Sequence, residues 1–135
     1  MKNNVFLLAV TFILISTGAF GQTQACDTLY EFPDKEASFK DSGTDLLYFF
    51  NDQLLELIHD TSSDDFPPTS FRMILVINDR DEVESIARIQ GDYSEETKNK
   101  ILEKLQNAEG WKSGESNGQK VCSNFYFTIG CILWK

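Results

Sequence analysis

Histidine occurs once in the 135 residues, as His59, and cysteine three times, as Cys26, Cys122 and Cys131. No cysteine and histidine pair has the spacing of a zinc site. His59 falls near a helix end, where a positive charge suits the dipole better than a ligand role. No serine sits in a nucleophile elbow, and no glycine-rich loop follows a strand to hold phosphate. The acidic stretch "HDTSSDD" lacks the alternating carboxylates and glycine of a calcium loop, and pairs such as Asp64-Asp65 or Glu95-Glu96 prove nothing without a cleft. The expectation is a protein that is not an enzyme and uses no cofactor and no metal. Positive charge is also scarce: twelve Lys and Arg stand against twenty-one Asp and Glu, a net charge of −9. Such a surface repels nucleic acid and anionic membranes, and with no long run of one sign its ordinary reading is solubility.

What the N-terminus has is a short apolar run. Lys2 gives a positive start, "VFLLAVTFILI" the hydrophobic stretch, and "AFG" a small-x-small cleavage pattern before Gln22, so residues 1–21 read as a signal peptide. A retained anchor is the rival reading. Thr11, Ser16, Thr17 and Gly18 interrupt the run, which is shorter than the roughly 20 apolar residues a span prefers, and so no stable membrane span is expected after cleavage. Lipidation of Cys26 is disfavoured by Thr23, three positions ahead of it, where lipoprotein signals carry an aliphatic residue. The mature chain is expected in the periplasm or secreted, where disulfides persist. Cys122 and Cys131 lie on one strand-like run, some 30 Å apart at about 3.3 Å per residue, and cannot bridge. A disulfide therefore uses Cys26, and Cys131 is the preferred partner because it shares the apolar face of that run, whereas Cys122 falls on the other.

The remaining chain divides by pattern. Residues 22–43 mix polar residues with Leu29, Tyr30, Phe32 and Phe39, an extended lead-in partly docked on a domain spanning 44–135. After a Thr44 or Asp45 cap, Leu46, Phe50, Leu54, Leu57 and Ile58 recur at helical spacing, until Pro67 and Pro68 end the pattern. "FRMILVIND" is apolar on both faces and reads as a central strand; "VESIARIQ", with Val83, Ala87 and Ile89 on one face, is its hairpin partner. A helix capped by Ser94 buries Ile101, Leu102, Leu105 and Ala108 and stops at Gly110. The aromatic and β-branched run from Val121 onward is the last strand. This order of helix, strand, strand, helix, strand predicts an α+β fold: a two-layer sandwich of a three-stranded antiparallel sheet with two helices on one face.

The link "GWKSGESNGQKV" has no apolar spacing of its own. It resembles the helix-to-strand link of TonB C-terminal domains and their relatives in exported proteins of Bacteroidetes-type bacteria. Trp111 matches the aromatic, Gly114 the glycine and Asn117-Gly118 the Asn-Gly of that link, and Val121 opens the strand. Ser113 stands where the family has proline, and Gln119 intervenes before Lys120. "EFP" at Glu31 to Pro33 is similar to an upstream Glu-Phe-Pro-Gly-Gly motif, with Asp34 and Lys35 in place of the glycines. Trp111 is expected to close the core with its indole N–H near solvent, and Gly114, Asn117 and Gly118 to allow positive φ in the turn. The resemblance implies binding of an extended peptide by strand addition at an exposed sheet edge. Placed on this chain, that edge is the final strand around Asn124, Tyr126 and Thr128. The resulting expectation is a non-enzymatic protein- or peptide-binding module of the cell envelope; the alternative is a structural or inhibitor-like scaffold that shares only the fold.

Overall fold

The computed structural model describes residues 26–59 and 70–130. The expected cleavage site, Asp64-Asp65, Phe66, Pro67 and Cys131 lie outside the described residues.

The lead-in contributes a two-residue strand, β1 (Ser38–Phe39). Helix α1 (Gly43–Phe49) follows, capped by Ser42 rather than by Thr44 or Asp45: the Ser42 hydroxyl accepts the Asp45 N–H at 3.3 Å. A π-turn, Phe50–Leu54, joins α1 to α2 (Leu55–His59), and the joining residues Phe49, Phe50 and Leu55 keep helical dihedrals, so the three segments form one rod. Its buried residues, Phe50, Leu54 and Ile58, are four apart. Steps of four overshoot an α-helical turn by about 40°, and the wider π-turn offsets the drift, which keeps all three side chains on the sheet.

Strand β2 (Ser70–Ile77) and strand β3 (Val83–Ile89) form the expected hairpin. The turn has no Asp-Gly; Asp81 takes the left-handed conformation instead, at φ 63°. The Asn78 side-chain oxygen accepts the N–H groups of Arg80 (2.9 Å) and Glu82 (3.1 Å), a local bond that holds the reversal. The pairing shifts twice, between Ile74 and Leu75 and between Val76 and Ile77, so Ala87 and Glu84 are each one residue too many for β2. Val83 and Ile89 pack on the core as expected, but the two bulges put Ile86 between them on that face and leave Ala87 exposed.

Helix α3 (Glu95–Asn107) is capped by Ser94, whose hydroxyl accepts the Thr97 N–H at 3.1 Å, and buries Ile101 and Leu105. The link after it is not a structureless connection. It folds into β4 (Trp111–Lys112), β5 (Gly114–Ser116) and β6 (Gln119–Val121), with β4 antiparallel to β1 and β5 to β6. Strand β7 (Ser123–Gly130) then pairs antiparallel with β2 in unbroken register from Ser70↔Gly130 to Ile77↔Ser123. The sheet order is β3-β2-β7, with both helices on one face, a two-layer α+β sandwich.

Between the layers lies one core. Phe50, Phe71 and Phe127 meet with ring centroids 5.5 to 6.1 Å apart, and Met73, Leu75, Ile77, Val83, Ile101 and Leu105 fill in around them. Each fully buried side chain of this size contributes about 1.5–3 kcal/mol of transfer free energy. The lead-in is part of this core: Ala37 and Phe39 are buried, and the Phe39 ring stands 4.6 Å from that of Trp111.

Candidate functional site

Strand β7 is at the edge of the sheet because no later described strand pairs with it. Its register with β2 is continuous, so its residues alternate strictly. Ser123, Phe125, Phe127 and Ile129 turn their side chains to the helices, while Asn124, Tyr126 and Thr128 place theirs on the opposite, open face. The same alternation sets the backbone. The Asn124 N–H donates away from β2, to the carbonyl of Tyr30 at 3.1 Å, and the Cys122 carbonyl accepts the Tyr30 N–H at 2.9 Å. Tyr126 and Thr128, two and four residues on, therefore aim their N–H and C=O groups along the same outer edge.

The three edge residues are thus not equivalent. Asn124 has its backbone occupied by the lead-in, and its side-chain Oδ1 is buried without a hydrogen-bond partner. No backbone partner on the outer side of Tyr126 or Thr128 is found among the described residues. Tyr126 is 52% exposed.

Behind the edge, the link fixes where β7 begins. Trp111 is 4% exposed, and its indole N–H, expected near solvent, is buried instead, donating at 2.9 Å to the carbonyl of Leu105. The reason is the early end of α3 at Asn107, which leaves the last-turn carbonyls in need of donors. Rings of Phe39 and Phe125 flank the indole. Asn117 (φ 53°) and Gly118 (φ 74°) make the two-residue turn between β5 and β6, where both central residues need positive φ. Gly114 was expected to share that need and does not; it is outside the left-handed region. Its constraint is close approach: a Cβ there would stand 2.5 Å from Ser123 Oγ and 3.0 Å from Pro33.

Ser113, where the resemblance implies a proline, ties this link to the β2–β3 turn. Its N–H donates to Asp81 Oδ1 at 2.8 Å, and its buried hydroxyl lies 2.7 Å from both the Asn78 carbonyl and that carboxylate while accepting the Asp81 N–H at 3.0 Å. Proline has no N–H to give. Lys120 Nζ reaches the other Asp81 oxygen, and these bonds, the lysine's foremost, hold the Asp81 carboxyl down at about 2.

The disulfide joins Cys26 to Cys122, with Cα atoms 5.9 Å apart, and not to Cys131. Shared apolar face was the wrong criterion. The Tyr30 bonds to Cys122 and Asn124 bring the lead-in against the first residues of β7, whereas Cys131 follows the far end of that strand. The bulged Glu84 faces the bridge: its carboxylate accepts the Cys26 N–H at 3.3 Å and lies 2.7 Å from the Cys26 sulfur. Cys26, Cys122 and Glu84 gather three potential ligand atoms within 4.8 Å, but two of them are bonded to each other as a cystine and are not thiolates. No described helix is long and apolar enough to cross a membrane.

The outward Tyr126 and Thr128 are legible in the alternation of the last strand, whereas the occupied Asn124 would have been found only by placing Tyr30 on β7, for which no local signal exists. Comparison with family models, with curated proteins and with solved structures finds no match to this chain.

Proposed function

We propose that the chain is an exported, non-enzymatic module of the cell envelope that takes up an extended segment of a protein or peptide as an added strand on the outer edge of β7. The observation that carries this reading is the alternation along β7, which turns the backbone groups of Tyr126 and Thr128 outward with no described partner. An unpaired edge of this kind is a template for another strand, and ladder bonds supply affinity while neighbouring side chains supply selectivity. Asn124 contributes only its place in the strand. The cystine favours an oxidising compartment, in line with the signal-peptide pattern of residues 1–21.

The Tyr30 bonds support the scaffold reading to the extent that they cover the start of this edge. Capture of envelope proteins on the purified, oxidised protein decides between the two, with intact mass reporting whether the exported chain starts near Gln22. Tyr126→Pro removes an outward donor and spares the bonds to β2, so the variant keeps the wild-type circular dichroism and loses the captured partner. The same partner recovered by a folded Tyr126→Pro variant would leave the scaffold reading in its place.

A further inference from the structure

The open face of the sheet carries a groove beside the β7 edge, of about 720 Å³, lined by Arg72, Ile74, Arg88, Gln90, Tyr126 and Thr128 among others. Two rows of paired residues cross it. Arg88 on β3 pairs with Ile74 on β2, which pairs with Tyr126 on β7; Arg72 on β2 pairs with Thr128. Arg72 and Arg88 are therefore diagonal neighbours on one face, at a separation of about 7–8 Å for such pairs. The Gln90 N–H donates to the Arg72 carbonyl at 2.9 Å and closes the groove on the β3 side.

This placement is unusual for the chain's charge. With twenty-one acidic residues against twelve basic ones, a carboxylate is the commonest neighbour a cation could have. The ion pairs among the described residues use Lys35, Arg80, Lys98, Lys100, Lys112 and Lys120, and neither Arg72 nor Arg88 is among them. Asp92 at the rim is the acidic residue in the groove lining. Two arginines on neighbouring rows of one face, neither ion-paired among the described residues, each offer a planar donor fork suited to a carboxylate.

We propose that this groove reads the acidic side chains of the segment added to β7, so that the partner is an extended peptide carrying Asp or Glu at alternate positions. The inference rests on the strand-addition reading of the same edge. A strand laid along β7 puts every second side chain on the open face, one strand spacing of about 4.8 Å beyond Tyr126 and Thr128. Thr128 is short, so the long Arg72 side chain of its own row reaches over it to a carboxylate on the added strand. Tyr126 is large and walls the next row, where Arg88 acts through the groove rather than across the edge. The selectivity comes from the face and the affinity from the edge.

The probes are two fluorescein-labelled twelve-residue peptides, one alternating valine and glutamate and the other valine and glutamine. Fluorescence anisotropy is measured at low and moderate salt on the oxidised protein, and circular dichroism verifies each variant's fold. The expected result is at least a tenfold preference for the glutamate peptide, although the net charge of the protein opposes it. Arg72→Gln collapses the ratio toward one, and Arg88→Gln, farther from the added strand, lowers it by a smaller factor. Equal binding of the two peptides, lost together when their backbones are N-methylated, overturns the acidic preference and leaves strand addition standing. A glutamate preference that survives N-methylation shows an anion groove without strand addition, and the proposed peptide register is then wrong. Failure of both peptides to bind overturns both.

Discussion

At the scale of single residues, Asp81 illustrates how an unfavourable backbone is kept. A left-handed L-residue costs roughly 1–2 kcal/mol, and here Ser113 and Lys120 occupy both carboxylate oxygens of the residue that adopts it. Those bonds, the lysine's foremost, favour the ionised form, and they hold the folded carboxyl at about 2, below its ordinary 3.8. A depressed folded value contributes stability that is complete above the ordinary value and fades as pH falls through the folded one. Thermal unfolding of Asp81→Asn should therefore lie below wild type at pH 6, and the two curves should converge between pH 4 and pH 2. Parallel curves over that interval would show that the ionised carboxylate does not hold the turn.

Among the elements, strand β7 and the lead-in act as a pair. The two Tyr30 bonds fasten them at one point and the Cys26–Cys122 bridge at another, closing a loop of 96 residues in sequence separation. On a chain-entropy reckoning such a loop is worth about 4–5 kcal/mol, less any order retained by the reduced unfolded chain. Cys26→Ser should lower the urea midpoint by a corresponding amount while leaving the β2–β7 ladder intact in amide exchange. Non-reducing peptide mapping of the wild type should recover the Cys26–Cys122 pair and leave Cys131 alkylated. A Cys26–Cys131 peptide would mean that the lead-in runs along the other end of the strand.

Taken whole, the molecule does not end its core at the first helix. Ala37 and Phe39 are buried, β1 pairs with β4, Lys35 exchanges backbone bonds with Glu115, and Lys112 binds Asp41 at 2.8 Å. A chain shortened to begin at Thr44 loses Phe39 from its contact with Trp111, a deletion worth about 3–5 kcal/mol by analogy with large-to-small core changes, and loses the cystine as well. Since domains of this size retain only about 5–15 kcal/mol in total, the shortened chain should lose its cooperative thermal transition, read by near-ultraviolet circular dichroism. A sharp, wild-type-like transition would show that residues 26–43 decorate the fold instead of completing it.

Periodicity and local chemistry alone determined the three long strands, both helical regions, the Ser94 cap, the Asn117-Gly118 turn and hence the two-layer sandwich. Each of these depends on residues within a few positions of one another: Phe71 to Ile77 alternate, Ile101 and Leu105 share a helical face, and Asn-Gly accepts positive φ in any context. What only the tertiary structure decided depends on residues far apart in the chain. The partner of Cys26, the burial of the Trp111 N–H, the role of Gly114 as a point of close approach and the covering of Asn124 by Tyr30 all follow from where the lead-in crosses β4, β5 and β7. The two bulges, at Glu84 and Ala87, likewise set Arg88 opposite Ile74 and so diagonal to Arg72, where an unbroken hairpin from Ile77↔Val83 would have put the two arginines directly opposite each other. A pairing between distant segments leaves no spacing in either of them, because backbone bonds are made by every residue type alike.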